Sequence, residues 1–473
     1  MGQVLSILLS VFFVAFTDKG GSQNVALSQR AIEQRTKWQI PIDSMDYAVS
    51  ATYVDSIRTL GGTVLHTSRW MNGATVACTD KAAEQIRQCA FVKDMEKTRD
   101  NSPCRSIRKY PERFEDSREN TPKGTDAQLE MHNLPLLHEA GHKGQGIVMA
   151  VIDGGFQNYP VGAYKHNGLQ DVFDTTRWLG SYDLTDDADP IYGNTGRHGS
   201  ICLGLIAGQS ALYQGAAPEA EYYMMRSEEG ETESPKEVDN LVAAIEKADS
   251  LGVNIASISL GYAMFDNPQW DYSYSMMDGK QSRCSRAAQI AARKGMLVCV
   301  AAGNEGDKTW HYLTAPADAD SILCVGAVYY DGWITNFSSR GPSSDGRVKP
   351  DVCSMGAGTC IITPEDGSMG GGSGTSFACP LIAGMAACIW SGLPQLNAMA
   401  IRQRIIQSAS QYRHPDDDYG YGIPDAWRAL HGEESGIEEA VMDRGVYKVV
   451  QEGVLYIERN GTRYDIMGRN MGK

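Results

Sequence analysis

Five short, nearly unbroken apolar runs constrain this chain more than any other feature. They are Ile147 to Ile152, Tyr222 to Met225, Val253 to Ser257, Met296 to Ala301 and Ile322 to Val328. None alternates between polar and apolar residues, so each reads as a strand covered on both faces. Helix-like segments lie between them. Pro235 to Leu251 places Leu241, Ala244, Ile245 and Ala248 at helical spacing, and Ser282 to Lys294 is a second such segment. Apolar strands alternating with amphipathic helices predict an α/β class, with an open parallel sheet and helices on both faces. This unit is taken as residues 126–432.

The flanking regions differ in character. Residues 20–100 read as a small α+β unit. Its helices are expected near Tyr53 to Leu60 and Asp80 to Gln88, and its strands at Thr63 to His66, Ala74 to Cys78 and Phe91 to Met95. That alternation suits a ferredoxin-like sandwich. Residues 101–125 are charged, poor in aliphatics and carry Pro103, Pro111 and Pro122, so they read as an exposed linker open to cleavage. Residues 433–473 form a tail in which Asn460-Gly461 joins two strand-like runs, 454–459 and 462–467, as a hairpin. Residues 1–19 hold an apolar run, Val4 to Phe16, with the length of a signal-peptide core and too short for a membrane span, which needs about 20 residues. No Lys or Arg precedes it, and its second half also reads as the first strand of the next unit. Met1 to Ser6 matches the short myristoylation pattern as well. No other run reads as long enough to span a membrane.

A formal net charge of −15 argues against nucleic acid as a partner, because such a surface repels phosphate. The eleven cysteines give no disulfide framework, and without a C-x-x-C pair a cysteine zinc site is not expected. Cys353 and Cys360 are spaced so that they could pair. The acidic stretch Asp183 to Asp189 fits no calcium-loop spacing. No metal or other cofactor is assigned.

Four residues carry candidate chemistry. Ser376 follows the glycine-rich Gly370-Gly-Gly-Ser-Gly-Thr and opens an apolar helix expected to run to Trp390. A serine there meets free N–H groups that favour developing negative charge. Asp153 ends the strand Val148 to Ile152 and precedes Gly154-Gly155, at a carboxyl strand end where α/β sites gather. His198 begins the small-residue helix His198-Gly-Ser-Ile-Cys-Leu-Gly-Leu-Ile-Ala. A neutral histidine can take a serine's proton and an aspartate can orient it. Asn304 follows Val298 to Gly303 and could donate its side-chain amide to an oxyanion. Taken singly, each has a plainer role as a cap, a turn residue or a structural histidine.

Together, in the order Asp, His, Asn, Ser, these motifs resemble the subtilisin-like (subtilase) family of serine proteases. Supporting words are Ser257-Ile-Ser-Leu-Gly261, Phe337-Ser-Ser-Arg-Gly-Pro342, Lys349-Pro-Asp-Val352 and Gly420-Tyr-Gly-Ile-Pro-Asp425. The sequence departs from the family pattern at Gly154, Ser200 and Cys379, all still small residues. The resemblance implies a subtilisin-like fold and serine endopeptidase activity through Asp153, His198 and Ser376, with Asn304 as oxyanion donor. It makes residues 20–100 a self-inhibiting propeptide and puts the protein outside the cell or in the envelope. The tail is similar to short terminal hairpins of secreted Bacteroidetes proteins. The substrate would be a protein or peptide, bound against Ser259, Leu260, Gly261, Ala301, Ala302 and Gly303. Thr314 would stand at the pocket floor and favour a medium apolar residue before the cut. A silent binding protein on the same fold would need a broken triad, and all four positions are intact.

Overall fold

The computed structural model describes residues 9–101, 124–158, 175–185, 190–193, 196–209, 213–230, 232–365 and 367–432, and the backbone of four strands between 446 and 472. The tail forms a unit of its own, beginning at His431.

The first part is a βαββαβ sandwich with one extra helix. Its elements are β1 (Ser10–Phe16), α1 (Gln29–Lys37), α2 (Ala51–Thr59), β2 (Thr63–Ser68), β3 (Gly73–Cys78), α3 (Asp80–Arg87) and β4 (Val92–Arg99). The antiparallel sheet runs β2-β3-β1-β4, the ferredoxin-like order. Of the apolar run Val4 to Phe16, the described second half takes the strand reading. Residues Ser10–Phe16 make an inner strand of the sheet, with Phe12, Val14 and Phe16 packed against Val54, Ile57 and Ile86. The reason is simple burial: a strand with neighbours on both sides and a helix layer above needs an apolar run, and so does a leader.

The large unit follows, with α4 (Asp126–Glu130), α5 (Leu134–Glu139), β5 (Val148–Asp153), β6 (Trp178–Asp183), α6 (Arg197–Ala207), β7 (Glu221–Arg226), α7 (Pro235–Leu251), β8 (Ile255–Ile258), α8 (Arg283–Arg293), β9 (Leu297–Ala301), β10 (Leu323–Val328), β11 (Val352–Met355), β12 (Thr359–Ile362), β13 (Met369–Gly372), α9 (Thr375–Gly392), α10 (Ala398–Ser408) and α11 (Ala426–His431). Seven strands pair in parallel in the order β11-β10-β9-β8-β5-β7-β6. Along β5, Met149 and Val151 pack in the cluster with α6 and α9, while Val148, Ala150 and Ile152 pack in the one with α7 and α8. This two-sided burial explains the unbroken apolar runs.

α9 corrects the expectation about membrane spans. Thr375–Gly392 is long and apolar enough to cross a bilayer by length and composition, but 89% of it is buried within this unit. Its apolar surface is needed because it contacts α6 and the sheet. Cys353 and Cys360 are both free, as are the other described cysteines, and the Cys353 thiol donates to Tyr419 O at 3.5 Å. Of the acidic stretch 183–189, only Asp183 to Thr185 are described.

The prosegment-like sandwich lies on α7, whose outward face carries charge. Arg35 Nη2 meets Asp249 at 2.9 Å and Arg69 Nη2 meets it at 2.6 Å. Arg283 of α8 is held between Asp239, at 2.7 Å, and Glu96 of β4, at 2.6 Å. Burial raises the carboxyls of Asp249 and Glu246 above their ordinary range, against the pull of these arginines. Buried charge pairs of this sort specify a docking geometry more than they add stability.

In the tail, β14 (Val446–Gln451), β15 (Val454–Arg459), β16 (Thr462–Tyr464) and β17 (Asn470–Gly472) form an antiparallel sheet in chain order. The Asn460-Gly461 turn itself lies outside the described residues.

His132 fastens the start of the large unit. Its Nδ1 faces Pro424 O at 2.8 Å, so that nitrogen carries the proton, and Nε2 accepts from Ser354 Oγ at 2.7 Å. Burial lowers its pKa to about 4 from an ordinary 6.5. Between those values the unfolded chain binds the extra proton and the folded chain does not, so stability present above pH 6.5 is lost as pH falls toward 4. Denaturation from pH 7 to 4 should show this loss, on the order of 3 kcal/mol. His132→Asn should flatten that slope, and an unchanged slope would remove His132 as its cause.

Candidate active site

The site forms at the carboxyl ends of the central strands. Asp153 closes β5 and is fully buried. Its Oδ1 accepts two donors, Gly154 N at 2.7 Å and His198 Nδ1 at 2.8 Å. His198, the second residue of α6, therefore has its proton on Nδ1 and leaves Nε2 as the basic nitrogen. Its ring stacks on Phe377, with centroids 5.9 Å apart, next in sequence to Ser376.

Ser376 is the second residue of α9. Its position depends on Pro380. A proline in a helix interior has no N–H for the carbonyl four residues earlier, which here is Ser376 O. That carbonyl instead accepts from Ser259 Oγ at 2.9 Å and Cys202 Sγ at 3.4 Å. One missing helix bond thus ties the serine to the loop after β8 and to α6. The Ser376 hydroxyl has no hydrogen-bond partner among the described residues, His198 included. Catalytic hydrogen bonds are often long without substrate and tighten in the complex.

Asn304 is oriented by its neighbour across the cleft. Thr375 donates to Asn304 Oδ1 from both its backbone N, at 2.9 Å, and its hydroxyl, at 3.0 Å. Two donors on Oδ1 turn Nδ2 the other way. A Cβ placed on Gly374 would fall 2.9 Å from Ser376 Oγ and 3.6 Å from Asn304 Nδ2, so both atoms border one small space. An amide held in advance near a reacting oxygen stabilises charge as it develops. Asn304→Ala should lower kcat by about 10²–10³-fold with little change in KM. A matching rise in KM with kcat intact would instead assign the residue to ground-state binding.

Ser259, Leu260, Gly261, Ala301, Gly303 and Thr314 line the same cleft as His198, Ser376 and Asn304. Ala302 does not; it is buried in the core on the α7 and α8 side. Thr314 is wedged between the two walls. A Cβ on Gly261 would fall 2.0 Å from Thr314 Oγ1, and one on Gly303 would fall 2.9 Å from it. That hydroxyl is buried and has no partner among the described residues.

Sequence reasoning missed five lining residues: Glu228, Glu233, Glu305, Lys308 and Thr375. Glu305 and Lys308 pair with each other at 2.8 Å. Glu228 and Glu233 belong to the acidic stretch Ser227-Glu-Glu-Gly-Glu-Thr-Glu233. Its position directly after the β7 strand, at the same carboxyl edge, was the available signal.

Asp153, His198 and Cys202 bring possible metal-ligand atoms within 4.8 Å of one another. Burial and the Asp153 charge push the Cys202 thiol well above its usual range, so it stays protonated and acts as a donor to Ser376 O. A protonated thiol is a poor ligand, and the cluster is better suited to proton transfer than to holding a cation.

A family model described as the subtilase family matches residues 144–422, and one described as the peptidase S8 propeptide domain of Bacteroidota matches residues 11–112. The chain is 27% identical over 320 residues to serine protease AprX of Bacillus subtilis, covering 61% of this chain and 67% of that protein. It is 26% identical over 384 residues to subtilisin E of Bacillus subtilis, covering 80% and 86%. It is 28% identical over 290 residues to the mouse membrane-bound transcription factor site-1 protease, covering 58% of this chain but only 24% of that protein.

Proposed function

The chain belongs to the subtilase family and carries its propeptide domain, and we propose that it is a serine endopeptidase made as a self-inhibited precursor. The observation that carries this reading is the His198 ring, held by Asp153 Oδ1, in one cleft with Ser376 and an Asn304 amide oriented by Thr375.

Ser376 Oγ attacks the scissile carbonyl as its proton passes to His198 Nε2. The negative charge on the carbonyl oxygen is met by Asn304 Nδ2 and by the backbone N–H of Ser376 at the start of α9. Asp153 supports the imidazolium. His198 returns the proton to the departing amine, leaving an acyl-enzyme on Ser376. Water, deprotonated by the same histidine, then releases the acid. Side chains and backbone groups alone supply these steps, and no cofactor is assigned. Thr314 shortens the pocket between Gly261 and Gly303, which favours a medium apolar residue at P1, the position whose carbonyl is attacked. In this reading the propeptide is the inhibitor of this cleft, and the mature enzyme works outside the cell or in the envelope.

The test is a fluorophosphonate probe followed by intact mass and peptide mapping. The folded wild-type chain should gain one probe mass on the peptide containing Ser376 and lose its N-terminal portion. A probe adduct mapped to another residue, or a folded, shortened chain that takes none, would overturn the reading.

A further inference from the structure

We infer that residues 24–47 are a second anchor for the propeptide, seated at the end of the large unit away from the cleft, which keeps the propeptide bound after the linker is cut. This rests on the endopeptidase reading, which supplies the cut. An oversized connection makes the anchor. In the sandwich, β1 ends at Phe16 and α2 begins at Ala51. Connections between such elements commonly take about 2–6 residues. Here the chain leaves the sandwich, forms α1 and returns. The excursion closes at one neck, where Val25 bridges Tyr47 and Ala48 N donates to Asn24 O at 2.8 Å. Lys19 Nζ holds the same neck at Tyr47 O, at 2.7 Å.

The insertion serves the large unit rather than its own sandwich. Among the described residues, none of α1 belongs to the apolar cluster of the sandwich. α1 packs on α7 instead, and Met45 packs against the cluster that α7 and α8 share. The approach is close. A Cβ on Gly252, which caps α7 with a φ of 74°, would fall 2.8 Å from Ala31 N. Arg30 Nε and Gln34 Nε2 donate to Gly252 O at 3.0 and 2.8 Å, and Arg30 Nη2 donates to Asn254 Oδ1 at 2.9 Å. Arg35 Nη1 donates to Lys294 O at 2.9 Å. In return, Lys294 Nζ meets Asp43 at 3.0 Å and Asp46 at 2.7 Å.

These partners are remote from the chemistry. Gly252 and Asn254 precede β8, and Lys294 precedes β9, whereas Asn304 follows the carboxyl end of β9. Lys37 Nζ donates to Pro394 O at 2.8 Å, just beyond α9. Ser376 stands in the first turn of that helix. At about 1.5 Å per residue, Pro394 lies about 27 Å from it. The propeptide therefore has two separate holds. The other is near the cleft, where Arg99 meets Glu229 at 3.1 Å and Asn267 donates to Asp100 at 3.2 Å. If that end loosens after the cut, the anchor stays engaged and the loosened end rebinds at a high effective concentration. Full activity then waits until both ends have let go.

The experiment uses the self-processed full chain, diluted after the linker has been cut. Gel filtration with intact mass follows the N-terminal fragment, and an internally quenched peptide follows activity. In wild type the fragment should co-elute with the mature enzyme, and activity should lag behind cutting. R30A/Q34A should release the fragment about tenfold faster or more and shorten the lag to match. K37A, an exposed position, should speed release by about threefold, so the test survives if the double variant folds poorly. All these substitutions lie in the propeptide, so the mature enzyme is the same in every case. Its kcat/KM should be the same too once the fragment has gone. A wild-type fragment lost as fast as the linker is cut, with Ser376 labelled by the fluorophosphonate, would overturn this inference alone. So would equal release from wild type and both variants. A chain that stays full length with Ser376 unlabelled would remove the endopeptidase reading and this inference with it.

Discussion

Ser376→Ala should leave a folded, full-length protein whose kcat is lower by about 10⁶-fold. The hydroxyl has no hydrogen-bond partner among the described residues, so its removal breaks nothing that holds α9. The contacts fixing this position run through the Ser376 carbonyl, which alanine retains with its bonds from Ser259 and Cys202. The thermal midpoint should therefore move by no more than a surface substitution would. Intact mass should show the N-terminal portion still attached, and the fluorophosphonate should add nothing. A variant that still shortens itself at the wild-type rate would show that Ser376 is not the nucleophile.

Asp153→Asn should cost about 10⁴-fold in kcat, with KM nearly unchanged. Two N–H groups, from Gly154 and His198, point at Oδ1. An amide NH₂ cannot accept them, so the asparagine oxygen must take that place. Its NH₂ is then forced into the Oδ2 position, which is buried and has no partner among the described residues. The imidazole keeps its orientation but loses the negative charge that supports its protonated form. Steady-state kinetics would separate these effects. A loss below tenfold would mean that charge at this position contributes little, and a large rise in KM would mean that the cleft itself had changed shape.

The strands and helices of the large unit were legible because each strand is covered on both faces, and nothing in a parallel sheet dilutes that signal. Asp153, His198, Asn304 and Ser376 stood out because each lies in a small-residue turn or at a helix start next to an apolar run. The structure places His198, Asn304 and Ser376 around one cleft, with Asp153 buried behind His198. Other features could not be read this way. The run Ser10–Phe16 is apolar for reasons a leader would share. On α7, periodicity identified Leu241, Ala244, Ile245 and Ala248, but Asp239, Glu246 and Asp249 on the other face look solvated until their arginines arrive from residues 35, 69 and 283. Glu228 and Glu233 read as loop residues because only the fold brings the end of β7 beside Tyr262.

The strand order β2-β3-β1-β4 gives the propeptide domain an unexpected weak point. Its last strand, which leads toward the cleft, is joined to the sheet only through its first. A nick near Phe13 would free β4 from its sheet neighbour although some eighty residues separate them in the chain. Such a domain is best dismantled from its beginning, because one early cut loosens the far end.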